Sequence, residues 1–240
     1  MKKRNRITLI LPVILFASLI ARAEKPATTL NFLKSDSVDV ANLLPEPPAQ
    51  DSLEQQSEIG LILKLQEDRT PEQVARIKLE DKFTVFIFSD VLGPGFTPEN
   101  CPETKALFEK TMVDAKYFSK AGKAHWDRAR PPMAHPKVKA VIDETDSSYP
   151  SGHATRSMVM ALMLAEIDPA NRAKLIQRGE LVGWDRVIAG VHYPSDVVAG
   201  RELGLAIFHE LMKNPQFKSD LEKARTEIDH ARTGATAAAK

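Results

Sequence analysis

The chain has 240 residues, of which 43% are hydrophobic, and this is enough apolar material for one sizeable buried core. Of its 33 basic residues, five lie in the first 23 positions, where there is no acidic residue. The rest of the chain carries 28 basic and 32 acidic side chains, a net charge of −4, which argues against a protein held to nucleic acid by a general positive field. A single cysteine, Cys101, excludes an intramolecular disulfide and any metal site built from several cysteines.

The first 23 residues have the pattern of a secretory signal peptide. A basic segment over residues 2–6 precedes an apolar run over residues 7–20, which is too short to span a bilayer comfortably. Ala21-Arg22-Ala23 then supplies the small residues that a signal peptidase accepts. We predict cleavage after Ala23, a periplasmic protein and no membrane span in the mature chain. An uncleaved membrane anchor is the alternative.

Residues 24–57 show no regular pattern. The segment contains Leu43-Leu44-Pro45-Glu46-Pro47-Pro48, which cannot lie inside an ordinary helix because proline lacks the backbone N–H and clashes with the preceding turn. We expect an extended N-terminal arm that lies on the body of the protein or on a neighbouring subunit. A disordered leader is the alternative.

Helix signals dominate the chain after Ser57. Thr70-Pro71-Glu72-Gln73 has the composition of an N-cap, a proline at the first helical position and a capping-box partner, and it predicts a helix that continues to about Leu92. Apolar residues at helical spacing predict another helix over Pro102–Ala121, with Gly122 ending it.

The second half of the chain predicts a central buried helix with other helices around it. Met158–Ile167 is apolar on nearly all sides, as expected of a helix inside a core. Further helices are predicted from Asp168 to about Val187, over Asp196–Met212 with Ser195 as the cap, and from Asn214 onward. The sequence therefore predicts an all-α fold, a single-domain helical bundle over residues 58–230, followed by a flexible tail at residues 231–240.

Three groups of reactive residues lie between the predicted helices. Lys123, Arg130 and Arg186 supply three cations, two of which are planar forks suited to the oxygens of a phosphate group. Ser151 and Gly152 come directly before the buried helix, where backbone N–H groups and the helix dipole attract an anion. These groups together predict a site for a phosphate ester.

Two histidines in the same groups can carry proton-transfer and nucleophilic chemistry. His153 lies at the start of the buried helix and exchanges protons near neutral pH. His192 lies four residues before Asp196, so that one helical turn or a tight bend brings the carboxylate to its Nδ1–H. This contact would fix the tautomer and leave Nε2 free as a nucleophile.

The order and spacing of these residues resemble the three-part motif of the type 2 phosphatidic acid phosphatase superfamily, which includes the vanadium haloperoxidases. The motif reads Lys-x6-Arg-Pro, Pro-Ser-Gly-His and Ser-Arg-x5-His-x3-Asp. Ten of its eleven positions are matched, by Lys123, Arg130, Pro131, Pro150, Ser151, Gly152, His153, Arg186, His192 and Asp196. The remaining position is Asp185, which stands where the family has serine and can either pair with a nearby cation or weaken anion binding. The Leu-Leu-Pro-x-Pro-Pro arm and residues 147–153 are similar to the bacterial class A non-specific acid phosphatases, over about residues 37–228.

The resemblance implies a metal-independent acid phosphatase of broad specificity that needs no cofactor and works on the acid side of neutral pH. It implies that His192 attacks phosphorus and becomes a phosphohistidine, that Asp196 orients His192, and that His153 protonates the leaving group and later activates water. The residues implied to bind the phosphoryl oxygens are Lys123, Arg130, Ser151, Gly152 and Arg186. The substrates would be small phosphate monoesters, and we expect a homo-oligomer.

Other functions are compatible with the same residues. A vanadate-dependent haloperoxidase would use the same oxyanion pocket, although the short chain and the phosphatase-like flanks favour the phosphatase. A catalytically weak phosphate-binding protein is the alternative from a different functional class. The acidic Asp185 in place of the family serine is the feature that suggests it. A lipid phosphate phosphatase of the integral type would need several membrane-spanning helices that this sequence lacks.

Overall fold

The computed structural model describes residues 28–238, with side chains described as far as residue 232. The predicted signal peptide and its cleavage site lie outside this range. Over residues 28–238 the structure contains helices and no strand, which confirms the all-α prediction. None of these helices has an apolar stretch long enough to cross a bilayer. The α-helices are α1 (Val40–Leu43), α2 (Leu53–Asp68), α3 (Pro71–Asp81), α4 (Ser89–Leu92), α5 (Pro102–Trp126), α6 (Pro131–Ala134), α7 (Gly152–Ile167), α8 (Arg172–Ile188), α9 (Pro194–Leu211) and α10 (Pro215–Ala238).

The N-terminal arm packs on the body of its own chain. It is irregular around α1 and gives way to α2 at Leu53, four residues before the predicted boundary at 57. The buried carboxylate of Asp114 in α5 accepts hydrogen bonds from the three successive backbone N–H groups of residues 31–33, at distances of 2.8 to 3.1 Å. Farther along, the hydroxyl of Tyr149 donates to the carbonyl oxygen of Pro45 at 2.6 Å. These bonds hold the arm against α5 and, at Pro45, beside the loop that precedes α7.

Helix α7 is the central element, as its apolar composition predicts, and α5, α8, α9 and α10 pack around it. Small residues allow α8 and α9 to approach it closely. A Cβ atom added to Gly179 in α8 would lie 2.6 Å from Cβ of Ala161, and one added to Gly200 in α9 would lie 2.6 Å from the carbonyl oxygen of Ser151. This close packing brings the end of α8 and the start of α9 to the first turn of α7, where the motif residues meet.

The helix predicted from Thr70 begins as expected but ends early. Thr70 caps α3, and its capping box with Gln73 is present. The helix stops at Asp81 instead of reaching Leu92, and a 3₁₀ turn (Val85–Phe88) and α4 follow. Thr84 has extended backbone angles, and its hydroxyl accepts a hydrogen bond from the N–H of Phe86. A threonine side chain can accept a backbone N–H in place of a helical carbonyl, which favours a break in the helix.

Helix α5 continues beyond the point where it was predicted to stop. Gly122 lies inside the helix, which runs to Trp126 and ends at Asp127 in the left-handed conformation (φ 44°). The glycine serves close packing, since a Cβ atom at this position would lie 2.6 Å from Cδ of Pro150. As a consequence Lys123 lies on the last turn of a long helix and not in a loop.

The last two helices also differ in detail from the prediction. Helix α9 begins at Pro194 with Tyr193 as its N-cap, so Ser195 lies within the first turn and is not the cap. Helix α10 continues to Ala238, past residue 230, where the sequence predicted a flexible tail to begin. Proline at the first position of both helices agrees with the preference of proline for helix starts.

Candidate active site

The motif residues lie at helix ends that converge around the start of α7. Lys123 is in the last turn of α5, Arg130 precedes α6, and Arg186 is in the last turn of α8. His192 lies in the connection between α8 and α9, and Asp196 is in the first turn of α9. All of these side chains are buried. The structure thus brings together three chain segments that are far apart in the sequence.

His192 and Asp196 form a hydrogen-bonded pair in the interior. Nδ1 of His192 lies 3.1 Å from Oδ2 of Asp196, which also accepts the backbone N–H of Tyr193 at 2.9 Å. Nη1 of Arg130 lies 3.1 Å from Nε2 of His192, so this network assigns the imidazole proton to Nδ1 and the lone pair to Nε2. Burial lowers the pKa of His192 to about 3, although the hydrogen bond to Asp196 acts to raise it. The imidazole is therefore neutral near pH 7.

Arg130 and Lys123 are held by the loop that precedes α7. Arg130 donates from Nη1 to the carbonyl oxygen of Val191 at 2.9 Å and from Nε to that of Asp146 at 2.7 Å. Nη2 of Arg130 pairs with the Asp146 carboxylate, which lies 3.4 Å from Nζ of Lys123. Lys123 also donates to the carbonyl oxygen of Ser147. Burial, together with the nearby charge of Arg130, lowers the pKa of Lys123 to about 8, which leaves this amine protonated in acid solution.

A carboxylate, that of Glu144, lies between the two guanidinium groups of the motif. It pairs with Nη2 of Arg186, whose Nη1 lies 3.3 Å from Oδ1 of Asp81. The same carboxylate lies 3.6 Å from Nη2 of Arg130 and 4.0 Å from Nδ1 of His153. Glu144 thus contacts the three motif groups that would surround a phosphoryl group.

The acidic loop residues Glu144 and Asp146 are absent from the sequence prediction. The run Asp143-Glu144-Thr145-Asp146 lies between the first two motif segments. Acidic residues so close to a predicted anion site indicate that some of them pair with its cations. The sequence alone does not say which of them faces the cations. In the structure both Glu144 and Asp146 do.

His153 lies at the second position of α7, with its ring almost fully buried. Phe83 packs against it edge to face, with ring centroids 5.6 Å apart, and Nη2 of Arg156 lies 3.4 Å from its Nδ1. Among the described residues its Nε2 has no hydrogen-bond partner. Burial and the charges of Arg186 and Arg156 hold the pKa of His153 well below its usual range. These surroundings therefore favour the neutral form of both imidazoles.

Ser151 and Gly152 lie at the start of α7 as predicted, but the backbone N–H of Ser151 has a different partner from the one that the sequence predicts. The backbone N–H of Ser151 donates to the carbonyl oxygen of Asp196 at 2.9 Å, so this N–H does not point at an anion. The Ser151 hydroxyl caps the helix by accepting from the N–H of Ala154 at 3.3 Å. Gly152 lies beside the lysine, since a Cβ atom added to it would be 4.0 Å from Cε of Lys123.

Arg128 is a further charged residue of the site that sequence reasoning missed. Its Nη1 donates to Oδ1 of Asp196 at 2.7 Å, its Nη2 donates to Oε2 of Glu58 at 2.9 Å, and its guanidinium stacks 3.8 Å from the ring centroid of Tyr193. The hydroxyl of Ser148 also donates to Asp196. Although burial acts to raise the pKa of Asp196, its bond to His192 and the charge of Arg128 lower it, so Asp196 is a carboxylate.

Comparison with known proteins identifies the family. Residues 108–220, which include every motif position, match the PAP2 superfamily. A non-specific acid phosphatase from Providencia stuartii is 32% identical over 212 residues, which are 83% of this chain and 85% of that protein. The chain belongs to the PAP2 superfamily and to its bacterial non-specific acid phosphatases of class A.

Other PAP2 proteins agree with this assignment to different extents. A non-specific acid phosphatase from Salmonella typhi is 36% identical over 149 residues, and the match spans 60% of this chain and 60% of that protein. The crystal structure of Aquifex aeolicus LpxE superposes with a TM-score of 0.52 at 20% identity and covers 68% of this chain and 97% of that one. At that identity the likeness shows a shared fold. This chain is therefore a member of a family of phosphatase enzymes with the helical PAP2 fold.

Proposed function

We propose that this protein is an exported, metal-independent acid phosphatase of broad specificity. It hydrolyses small phosphate monoesters through a phosphohistidine on His192. One observation carries the proposal. The Nδ1 of His192 is bonded to Asp196, and its Nε2 lies at a cluster of buried cations. An imidazole held in this tautomer has its nucleophilic lone pair directed at the place where a phosphoryl group would bind.

The proposed reaction has two steps, and His153 acts as an acid in the first step and as a base in the second. In the first step Nε2 of His192 forms a bond to phosphorus while the bond from phosphorus to the leaving oxygen breaks. His153, whose protonated form is favoured by the bound phosphate anion, gives its proton to that oxygen. In the second step neutral His153 takes a proton from water, which attacks phosphorus and releases phosphate and free His192. Asp196 keeps the proton on Nδ1 throughout and stabilises the positive charge of the phosphorylated ring.

Fixed positive charge would supply the stabilisation that phosphoryl transfer needs. Charge on the three equatorial oxygens is what such a site must balance. Lys123, Arg130 and Arg186 are buried and preorganised, and one contact between unit charges at about 4 Å is worth about 4 kcal/mol before desolvation at an effective dielectric constant of about 20. Gly152 and the hydroxyl of Ser151 would complete the cradle.

The broader parts of the proposal come from the sequence. The predicted signal peptide supports export to the periplasm, and recognition through the phosphoryl group supports broad specificity. We also propose a homo-oligomer, which sedimentation analysis of the exported protein tests. A single species at the monomer mass would contradict it.

The decisive experiment is His192→Ala assayed on p-nitrophenyl phosphate. We expect kcat to fall by at least about 10³-fold, because the covalent route is lost. Rapid quenching of the unaltered enzyme with ³²P-labelled substrate should trap a phosphoenzyme that is labile to acid and stable to base. His209→Ala, on the exposed face of α9, is the control and should keep full activity. A loss of only a few-fold in His192→Ala, or no labelled protein, contradicts the proposal.

A further inference from the structure

Arg128 lies behind the pair of His192 and Asp196, on the side of the carboxylate that does not face the imidazole. Its guanidinium holds Oδ1 of Asp196, while Oδ2 accepts hydrogen bonds from Nδ1 of His192, the N–H of Tyr193 and the hydroxyl of Ser148. The two carboxylate oxygens therefore have separate partners. Hydrogen bonds at both oxygens resist rotation of the carboxylate about its terminal bond, which keeps the same oxygen on His192.

Arg128 is itself fixed on two other sides. Its second nitrogen, Nη2, is bonded to Glu58 of α2, whose other oxygen accepts the backbone N–H of Ser195 at 2.6 Å. Its planar face lies against the ring of Tyr193 at 3.8 Å. Stacking and a two-pronged fork are properties of arginine that lysine does not share. The arrangement therefore depends on a guanidinium and not on positive charge alone.

The charges in this chain of contacts alternate. Glu58 is negative, Arg128 positive and Asp196 negative, and all three side chains are largely buried. Arg128 by itself would weaken the hold of Asp196 on the Nδ1 proton, and Glu58 offsets part of that effect. The charged and titratable groups facing His192 on its other side are Arg130, Lys123 and His153.

We propose that Arg128 is a positioning residue for the phosphatase reaction: it anchors Oδ1 of Asp196 so that Oδ2 remains on Nδ1 of His192, and Glu58 anchors Arg128 in turn. This inference rests on the proposed function, because it concerns the residue that would become phosphorylated. Neither Arg128 nor Glu58 occupies one of the eleven motif positions. The alternative is that Arg128 only joins α2 to α9.

A matched control for that alternative exists elsewhere in the protein. Arg178 is also nearly buried and also bridges two carboxylates, those of Glu80 at 2.6 Å and Asp90 at 2.8 Å. It makes no contact with His192 or Asp196. Arg178→Gln therefore removes a similarly buried arginine between two carboxylates, of which Asp90 is half exposed, and we expect it to lower the unfolding temperature and leave kcat within about two-fold.

The test compares Arg128→Gln, Arg128→Lys and Glu58→Gln with Arg178→Gln on p-nitrophenyl phosphate. We expect Arg128→Gln to lower kcat by about 10- to 100-fold with KM changed by less than about three-fold, as is typical when the residue that orients a reacting group is lost. The rate of phosphoenzyme formation should fall by the same factor. Arg128→Lys should recover only part of kcat, since it keeps the charge and loses the fork and the stacking.

The pH profile provides a readout that a purely structural role would not move. Removing the positive charge of Arg128 raises the pKa of Asp196 and of His192. The acid limb of the pH profile, where kcat falls at low pH because His192 becomes protonated, should therefore move to higher pH in Arg128→Gln. Removing the negative charge in Glu58→Gln should move it to lower pH, and Gln still accepts the N–H of Ser195. If Arg128→Gln does not fold, Arg128→Lys and Glu58→Gln still test the inference through kcat and the acid limb.

Two results would overturn the inference. One is a loss of kcat in Arg128→Gln no larger than in Arg178→Gln, and the other is an acid limb that stays in place in both Arg128→Gln and Glu58→Gln. If the unaltered enzyme forms a phosphoenzyme and Arg128→Gln forms it equally fast, this inference fails and the proposed function stands. If the unaltered enzyme forms none, the proposed function fails.

Discussion

Arg76 binds Asp185 through two hydrogen bonds, from Nε to Oδ2 at 2.6 Å and from Nη2 to Oδ1 at 2.7 Å. Asp185 is the single departure from the family motif and is only 1% exposed. The sequence raised two possibilities for it, a pair with a nearby cation or a weaker site for anions. The structure places the pairing cation on α3, so the acidic charge next to Arg186 is balanced locally.

The first prediction concerns the stability of this pair. Arg76→Ala leaves the buried Asp185 carboxylate without its partner, so we expect the free energy of unfolding to fall by ~2 kcal/mol, less than for a fully buried pair because Arg76 is 31% exposed. Urea unfolding followed by circular dichroism measures this loss. The double variant Arg76→Ala/Asp185→Ser should recover most of it, and equal stabilities of the single and double variants would contradict the assignment.

The second prediction concerns Glu144, whose carboxylate contacts Arg186, Arg130 and His153. A phosphate group that binds these cations must displace it. We expect Glu144→Gln to lower the inhibition constant of inorganic phosphate and KM for p-nitrophenyl phosphate by ~5-fold, equivalent to the ~1 kcal/mol of a partly exposed ion pair.

The matched control is Glu67→Gln, because Glu67 is an exposed residue of α2 that pairs only weakly, with Lys64 at 3.7 Å. It should leave both constants unchanged. An inhibition constant that rises in Glu144→Gln would mean that the carboxylate helps to build the phosphate site instead of competing with its ligand.

The third prediction is a loss of stability in acid that His192 causes. The pKa of His192 falls from about 6.5 in the unfolded chain to about 3 in the folded protein, so between these values the unfolded chain binds the extra proton. The free energy of unfolding should therefore fall as the pH falls below about 6.5. His153 shifts in the same direction and adds to the effect.

For His192 alone the loss between pH 7 and pH 5 amounts to about 2 kcal/mol. His192→Asn, which does not titrate in this range, should show a correspondingly smaller loss in urea titrations at the two pH values. A difference as large as in the unaltered protein would show that His192 is not the group responsible. Saturating phosphate should reduce the loss, because an anion beside the two imidazoles favours their protonated forms.

The fourth prediction is activity without a divalent metal. The proposed chemistry uses Lys123, Arg130 and Arg186 as the fixed cations, so dialysis against a chelator should leave kcat on p-nitrophenyl phosphate unchanged. Adding back Mg²⁺ or Zn²⁺ after dialysis should have no effect. Recovery by either metal from near-zero activity would refute the prediction.

Much of the site could be predicted because its residues stand next to strong local signals. Ser151 precedes a run that is apolar on all sides, and Arg186 ends the next helix, so both were correctly assigned to helix ends. The capping box of Thr70 fixed the start of α3 for the same reason. Local chemistry determines where many helices begin and end, and most of the motif residues lie at or next to those points.

The parts that were missed depend on contacts between distant segments. Arg128 and Glu58 are 70 residues apart, and a charged residue is solvated more often than buried, so no local pattern indicates that they pair. Gly122 has the local signature of a helix stop, and only the approach of Pro150 explains why a glycine is needed inside the helix. The same holds for Glu144, whose partners lie on α8 and beside α6.

The carboxylate of Asp114 has a practical consequence for truncation experiments. It is fully buried, and backbone N–H groups of residues 31–33 satisfy both of its oxygens. A version of the protein that begins after Leu33 would lose all three of these backbone hydrogen bonds to the Asp114 carboxylate. Shortened versions intended for crystallisation or display should therefore retain Asn31.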